Sequence, residues 1–99
     1  MLTAEQAKKI GIRACIDKIG YEFCKQHEDN SVCSYGEEDG KMLCYVGVDD
    51  KPEQQYDLEN MNRIVLDDAR YMPYYACCEV DMHNGEVSFI EFCVPQNEQ

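Results

Sequence analysis

No stretch of this chain approaches the ~20 consecutive apolar residues that cross a bilayer, so no membrane-spanning helix is expected. The opening Met1-Leu2-Thr3-Ala4-Glu5 enters a polar amphipathic segment and lacks the apolar centre of an export leader. Basic residues are scarce. Nine Lys and Arg stand against 20 Asp and Glu, a formal charge of −11. That balance disfavours direct contact with nucleic-acid phosphates or an anionic membrane. Motifs that mark chemistry are missing too: there is no P-loop, Rossmann glycine pattern, serine-nucleophile elbow or His-Glu-x-x-His. The acidic groups Glu37-Glu38-Asp39, Asp49-Asp50 and Asp67-Asp68 lack the spacing of an EF-hand loop and read as solvated charge.

Cysteine, by contrast, is plentiful, with 7 in 99 residues. An odd number argues against a complete disulfide framework. Without a leader, the residues read as reduced thiols of a cytoplasmic protein. Cys24, His27 and Cys33 lie close in sequence and Cys44 follows, yet no Cys-x-x-Cys knuckle gathers four ligands. Neither a metal nor another cofactor is expected. Cys15, Cys44 and Cys78 read as small buried thiols. A cysteine nucleophile would need an adjacent imidazole, and only His27 and His83 are available. The negative field also opposes a thiolate, so the chain is not expected to be an enzyme.

Chain length suggests one domain over residues 1–99. A helix is expected from about Thr3 to His27. Thr3 and Gln6 have capping-box spacing. Ile12, Cys15, Ile16, Ile19 and Phe23 form a helical stripe, flanked by the small Ala7, Gly11 and Ala14. Gly20 marks a kink or an early end. Residues 28–40 read as a loop by composition, with Asp39-Gly40 as a turn signal. Lys41 to Asp49 reads as an inner strand, apolar on both faces. A turn at 49–52 and a short edge strand at 53–56 follow. Residues 57–69 read as a short helix, with a strand as the competing assignment. Residues 96–99 form a polar tail.

Tyr74 to Val94 reads as a β-hairpin. A two-residue turn at Asn84-Gly85 competes with a three-residue loop, His83-Asn84-Gly85, in which Gly85 takes a positive φ. The three-residue loop is preferred because it gathers Tyr74, Ala76, Cys78 and Val80 with Val94, Phe92, Ile90 and Ser88 on one mostly apolar face. Its opposite face then carries Tyr75, Cys77, Glu79 and Asp81 with Cys93, Glu91, Phe89 and Val87. The fold class expected is α+β: an N-terminal helix on a three- to four-stranded antiparallel sheet ending in a C-terminal hairpin.

Leu2-Thr3-Ala4-Glu5-Gln6-Ala7-Lys8-Lys9-Ile10, together with Tyr75 through Val80-Asp81-Met82-His83-Asn84-Gly85-Glu86-Val87, resembles a PepSY-like domain, whose pattern a cystatin-like helix-on-sheet fold shares. The resemblance covers the two ends of the chain. It implies a helix on an antiparallel sheet that serves as an inhibitory or protein-binding module, with no catalytic residues to carry over. The expected function is a non-catalytic protein-interaction module, with another protein as partner and a basic one fitting best. Tyr75, Phe89 and Glu91 on the outer sheet face form its candidate surface. The alternatives are an acidic inhibitor that mimics nucleic acid in a basic groove and, less favoured, a small enzyme.

Overall fold

The computed structural model describes residues 1–49 and 72–95. The helix expected at 57–69, the short strand at 53–56 and the tail at 96–99 lie outside these residues, as does most of the turn at 49–52.

Helix α1 runs Ala4–Ile19. Its capping box is complete: Gln6 N–H donates to Thr3 Oγ1 at 3.1 Å, and Thr3 N–H donates to Gln6 Oε1 at 2.9 Å. Two donors that α1 could not satisfy internally are thereby paired. Gly20, at φ 123°, ends α1, and α2 (Tyr21–Gln26) follows in a new direction. The single helix expected over 3–27 is therefore two. Its buried row also differs from the expected stripe. Ala7, Gly11, Cys15 and Ile19 are buried, whereas Ile12 and Ile16 are only partly covered. The small Ala7, Gly11 and Cys15, at every fourth position, let α1 approach the sheet closely, and Ile12 and Ile16 turn to one flank.

The segment expected to be a loop is mostly a strand. After a 3₁₀ turn at Glu28–Asn30, β1 spans Ser31–Glu38. It pairs antiparallel with β2 (Lys41–Val48), from Ser31 opposite Val48 to Glu38 opposite Lys41. The connection is Asp39-Gly40, with φ of 54° and 77°. Two left-handed residues are what a two-residue hairpin turn of the primed type requires. Composition hid β1 because it is an edge strand with exposed or half-exposed side chains, so burial imposes no alternation on its sequence.

Strand β3 (Tyr74–Asp81) pairs with β2, and β4 (Val87–Cys93) pairs with β3, giving the sheet order β1-β2-β3-β4. The chain is thus α+β, an N-terminal helix on a four-stranded antiparallel sheet that ends in a hairpin, as expected. Met42, Cys44, Val46 and Val48 of β2 meet Ala76, Cys78 and Val80 of β3 beneath α1, and all are buried.

Near its turn the hairpin departs from the register of the three-residue loop, whereas Ala76 opposite Phe92 and Tyr75 opposite Cys93 keep it. Val80 pairs with Val87 and Cys78 with Phe89, so four residues, Met82 to Gly85, form the loop. His83 N–H donates to Asp81 Oδ1 and Glu86 N–H to Asn84 Oδ1, each at 2.8 Å, while Gly85 has φ 78° as expected. Met82 stays in the loop because both its backbone groups are engaged. Its N–H donates to Gly40 O at 3.1 Å and its carbonyl accepts from Leu2 N–H at 2.7 Å. Further along, a β-bulge lies between Cys77 and Cys78, and beyond it Cys77 pairs with Glu91 and Ala76 with Phe92. Ile90 is the unpaired extra residue. The apolar positions of β4 explain this. Val87 and Phe89 share one phase, Phe92 and Val94 the other, and one inserted residue brings all four to the helix side.

Candidate functional site

One α-helix is about 10 Å across, and neighbouring strands are about 4.8 Å apart, so a single helix covers about two strands. Helix α1 accordingly packs on β2 and β3 and barely reaches β1 and β4. The helix-side flanks of both edge strands are left open to solvent. On β4, Phe89, Ile90 and Phe92 are 38%, 56% and 46% exposed. Ile90 and Phe92, expected in the core, are thus about half exposed, although the face they were assigned to does bury Ala76, Cys78 and Val80. Phe89 and Phe92 meet edge to face at 6.1 Å, and Lys18 Nζ lies 4.3 Å from the Phe92 ring centre and 5.2 Å from that of Phe89.

The surface expected from the sequence is divided by the bulge. Tyr75 and Glu91 do come together on the outer face, where the Tyr75 hydroxyl donates to Glu91 Oε2 at 2.5 Å. Phe89 does not join them. Its pairing with the buried Cys78 places it on the helix side. Tyr75 is half-buried and stacks on Tyr45 with ring centres 6.0 Å apart. The exposed apolar surface is therefore the β4 flank rather than the outer face. Sequence reasoning missed Ile90 and Phe92 as surface residues. The phase change within Val87-Ser88-Phe89-Ile90-Glu91-Phe92 was the available signal.

An outer-face depression of about 360 Å³ is lined by Ser34, Gly36, Leu43, Tyr45 and Cys77 among others. Its thiol is ill suited to attack: burial pushes the Cys77 thiol up, and the nearby Glu91 and Glu79 carboxylates push it further. His27 is engaged with the Phe23 ring at 4.8 Å, and His83 sits exposed in the hairpin loop.

Among the described residues no group of three or more His, Cys, Asp and Glu is placed to hold a metal ion. The sequence cluster disperses. Cys24 is buried with its Sγ 3.9 Å from Ile16 O, while Cys33 is exposed on β1. Cys44 instead joins Cys15 and Cys78 in the core, where the Sγ atoms of Cys15 and Cys78 are 3.5 Å apart. All seven cysteines are free. The three core thiols act as small apolar groups at the helix–sheet seam. No helix among the described residues is long and apolar enough to cross a membrane.

Comparison of the chain with protein-family models, with curated proteins and with solved structures gives no match.

Proposed function

We propose that this chain is a non-catalytic cytoplasmic protein-binding module whose docking surface is the open flank of β4. The observation that carries this reading is the contiguous exposure of Phe89, Ile90 and Phe92 on an edge strand. Large apolar groups gathered at one place on a surface mark contact sites, and aromatic anchors dominate such contacts. Among the described residues β4 is an edge strand, to which a partner strand can add with the phenylalanines filling its pockets. The partner's chemistry follows from charge. Glu91 lies on β4 itself and the chain's net charge is −11, so a basic protein with an apolar centre to its contact surface fits. The PepSY-like pattern at the two ends of the chain agrees with a binding role.

The test is capture of the partner from the native host by the wild type and by a Phe89→Ser/Phe92→Ser variant. The rings are already partly exposed, so the variant should stay folded at a cost of about 2 kcal/mol. Loss of two anchors should weaken binding at least tenfold, at roughly 1–2 kcal/mol or more each. Binding that survives the double change, or that Tyr75→Phe abolishes instead, places the contact elsewhere.

A further inference from the structure

The opposite flank of α1 is also open, and its chemistry differs. Between α1 and the helix-side face of β1 runs a trough in two parts. One, of about 280 Å³, has Ile12, Ile16, Cys33 and Tyr35 as its walls, with Lys8, Lys9 and Arg13 on the rim. The other, of about 160 Å³, shares Ile12, Ile16 and Cys33 and continues to Val46 and Cys24. The shared residues make the two parts continuous, cationic toward one end and apolar along the floor.

The charge at this rim runs against that of the molecule. Three of the chain's nine basic residues meet here on a protein of net charge −11. Lys8 Nζ lies 3.5 Å from a Glu5 carboxylate oxygen and 4.6 Å over the Tyr35 ring. Arg13 pairs with Asp17 at 3.2 Å. Both pairs lie within one helix with exposed carboxylates, Lys8 being half-exposed and Arg13 exposed, and such pairs exchange readily for another anion. Lys9 makes no ion pair among the described residues. At a rise of about 1.5 Å per residue, Lys8 to Ile16 spans about 12 Å, the reach of one medium-length aliphatic chain.

We propose that this trough binds a single-chain anionic amphiphile, its oxyanion head held by Lys8, Lys9 and Arg13 and its chain lying along Ile12 and Ile16 toward Cys24. The site is independent of the β4 surface and does not rest on the binding role assigned there. Small-ligand sites share this design, an apolar trough with few charged groups fixing one end.

The experiment titrates the whole chain with decanoate, dodecanoate and dodecyltrimethylammonium below their micelle concentrations, read by calorimetry and by amide chemical shifts. Dodecanoate should bind saturably and roughly tenfold more tightly than decanoate, as two further buried methylenes require. The shifts should centre on Ile12, Ile16, Cys33 and Tyr35. Lys8→Gln/Lys9→Gln should weaken binding at least tenfold with an unchanged melting temperature, and Cys33→Glu, on an exposed strand, should do the same. Absence of saturable binding overturns the proposal. So does equal binding of the cationic chain, indifference to chain length, or a shift map centred on Phe89 and Phe92.

Discussion

Replacing Gly11 by alanine should destabilise the fold by about 3 kcal/mol, although alanine is the better helix former by about 1 kcal/mol. The reason is the close approach of α1 to the sheet. A Cβ at position 11 would lie 2.2 Å from Cys44 Sγ, 2.9 Å from Cys44 Cβ and 3.0 Å from Val80 Cγ2. Those neighbours belong to β2 and β3, the two inner strands, and cannot move aside without unpacking the centre. The clash is mostly with sulfur, so Cys44→Ala added to Gly11→Ala should recover much of the loss. The coupling between the two sites should be about 2 kcal/mol. Urea midpoints at neutral pH for the four species of the cycle measure it. A Gly11→Ala protein as stable as the wild type would mean that α1 does not sit where this packing places it.

Alkaline conditions should unfold the protein steeply between about pH 9 and pH 11. Cys44 and Cys78 are buried in contact, each at most 1% exposed. Hydrogen bonding to Cys78 and burial together push the Cys44 thiol far up. Hydrogen bonding to Cys15 pushes the Cys78 thiol up to about 12, with burial adding to it and the Cys44 bond opposing it. The unfolded chain loses these protons near the ordinary thiol value of about 8.5, whereas the folded chain keeps them. Stability is therefore fully present below the unfolded value. It falls as pH rises above that, by about 1.4 kcal/mol per pH unit for each thiol, until the folded value is reached. Two such thiols give about 2.7 kcal/mol per unit, so two pH units remove about 5 kcal/mol. Chemical-denaturation curves from pH 7 to 11 should show this slope. Cys78→Ala should lessen it and Cys44→Ala/Cys78→Ala should lessen it further, leaving the contribution of Cys24 and Cys77, whose thiols burial also pushes up. A wild-type stability independent of pH up to 11 would contradict the buried thiol cluster.

Local grammar made parts of this fold legible. Thr3 and Gln6 announced the start of α1, Gly20 its interruption, and apolar residues on both faces of Met42 to Val48 an inner strand. Gly85 was readable as a left-handed turn residue. The features that escaped are those set by the neighbourhood of a residue. Strand β1 carries no apolar alternation because its side chains are exposed or half-exposed, yet Asp39-Gly40 before a strand implies a partner strand on its other side. Ala7 and Gly11 looked like flanks of the stripe because they are small. They join Cys15 and Ile19 on the contact line because they are small. The candidate site was half legible for a related reason. Tyr75 and Glu91 were correctly assigned to one face. Phe89 was misplaced because a strict period of two cannot represent an inserted residue, and the exposure of Phe92 follows from helix width, a property of the assembled layers.

The central claim is that one helix seals the two inner strands and leaves the edge strands wet, and the cysteines report on it from every layer. Native-state alkylation followed by mass spectrometry reads each thiol separately. Cys33 on β1 and Cys93 on β4 are exposed, Cys77 is intermediate, and Cys15, Cys24, Cys44 and Cys78 are buried. Cys33 and Cys93 should therefore label first and Cys77 more slowly. The four buried thiols should label only at the rate of unfolding. Labelling of Cys15, Cys44 or Cys78 as fast as Cys33, or protection of Cys33 and Cys93, would contradict the arrangement.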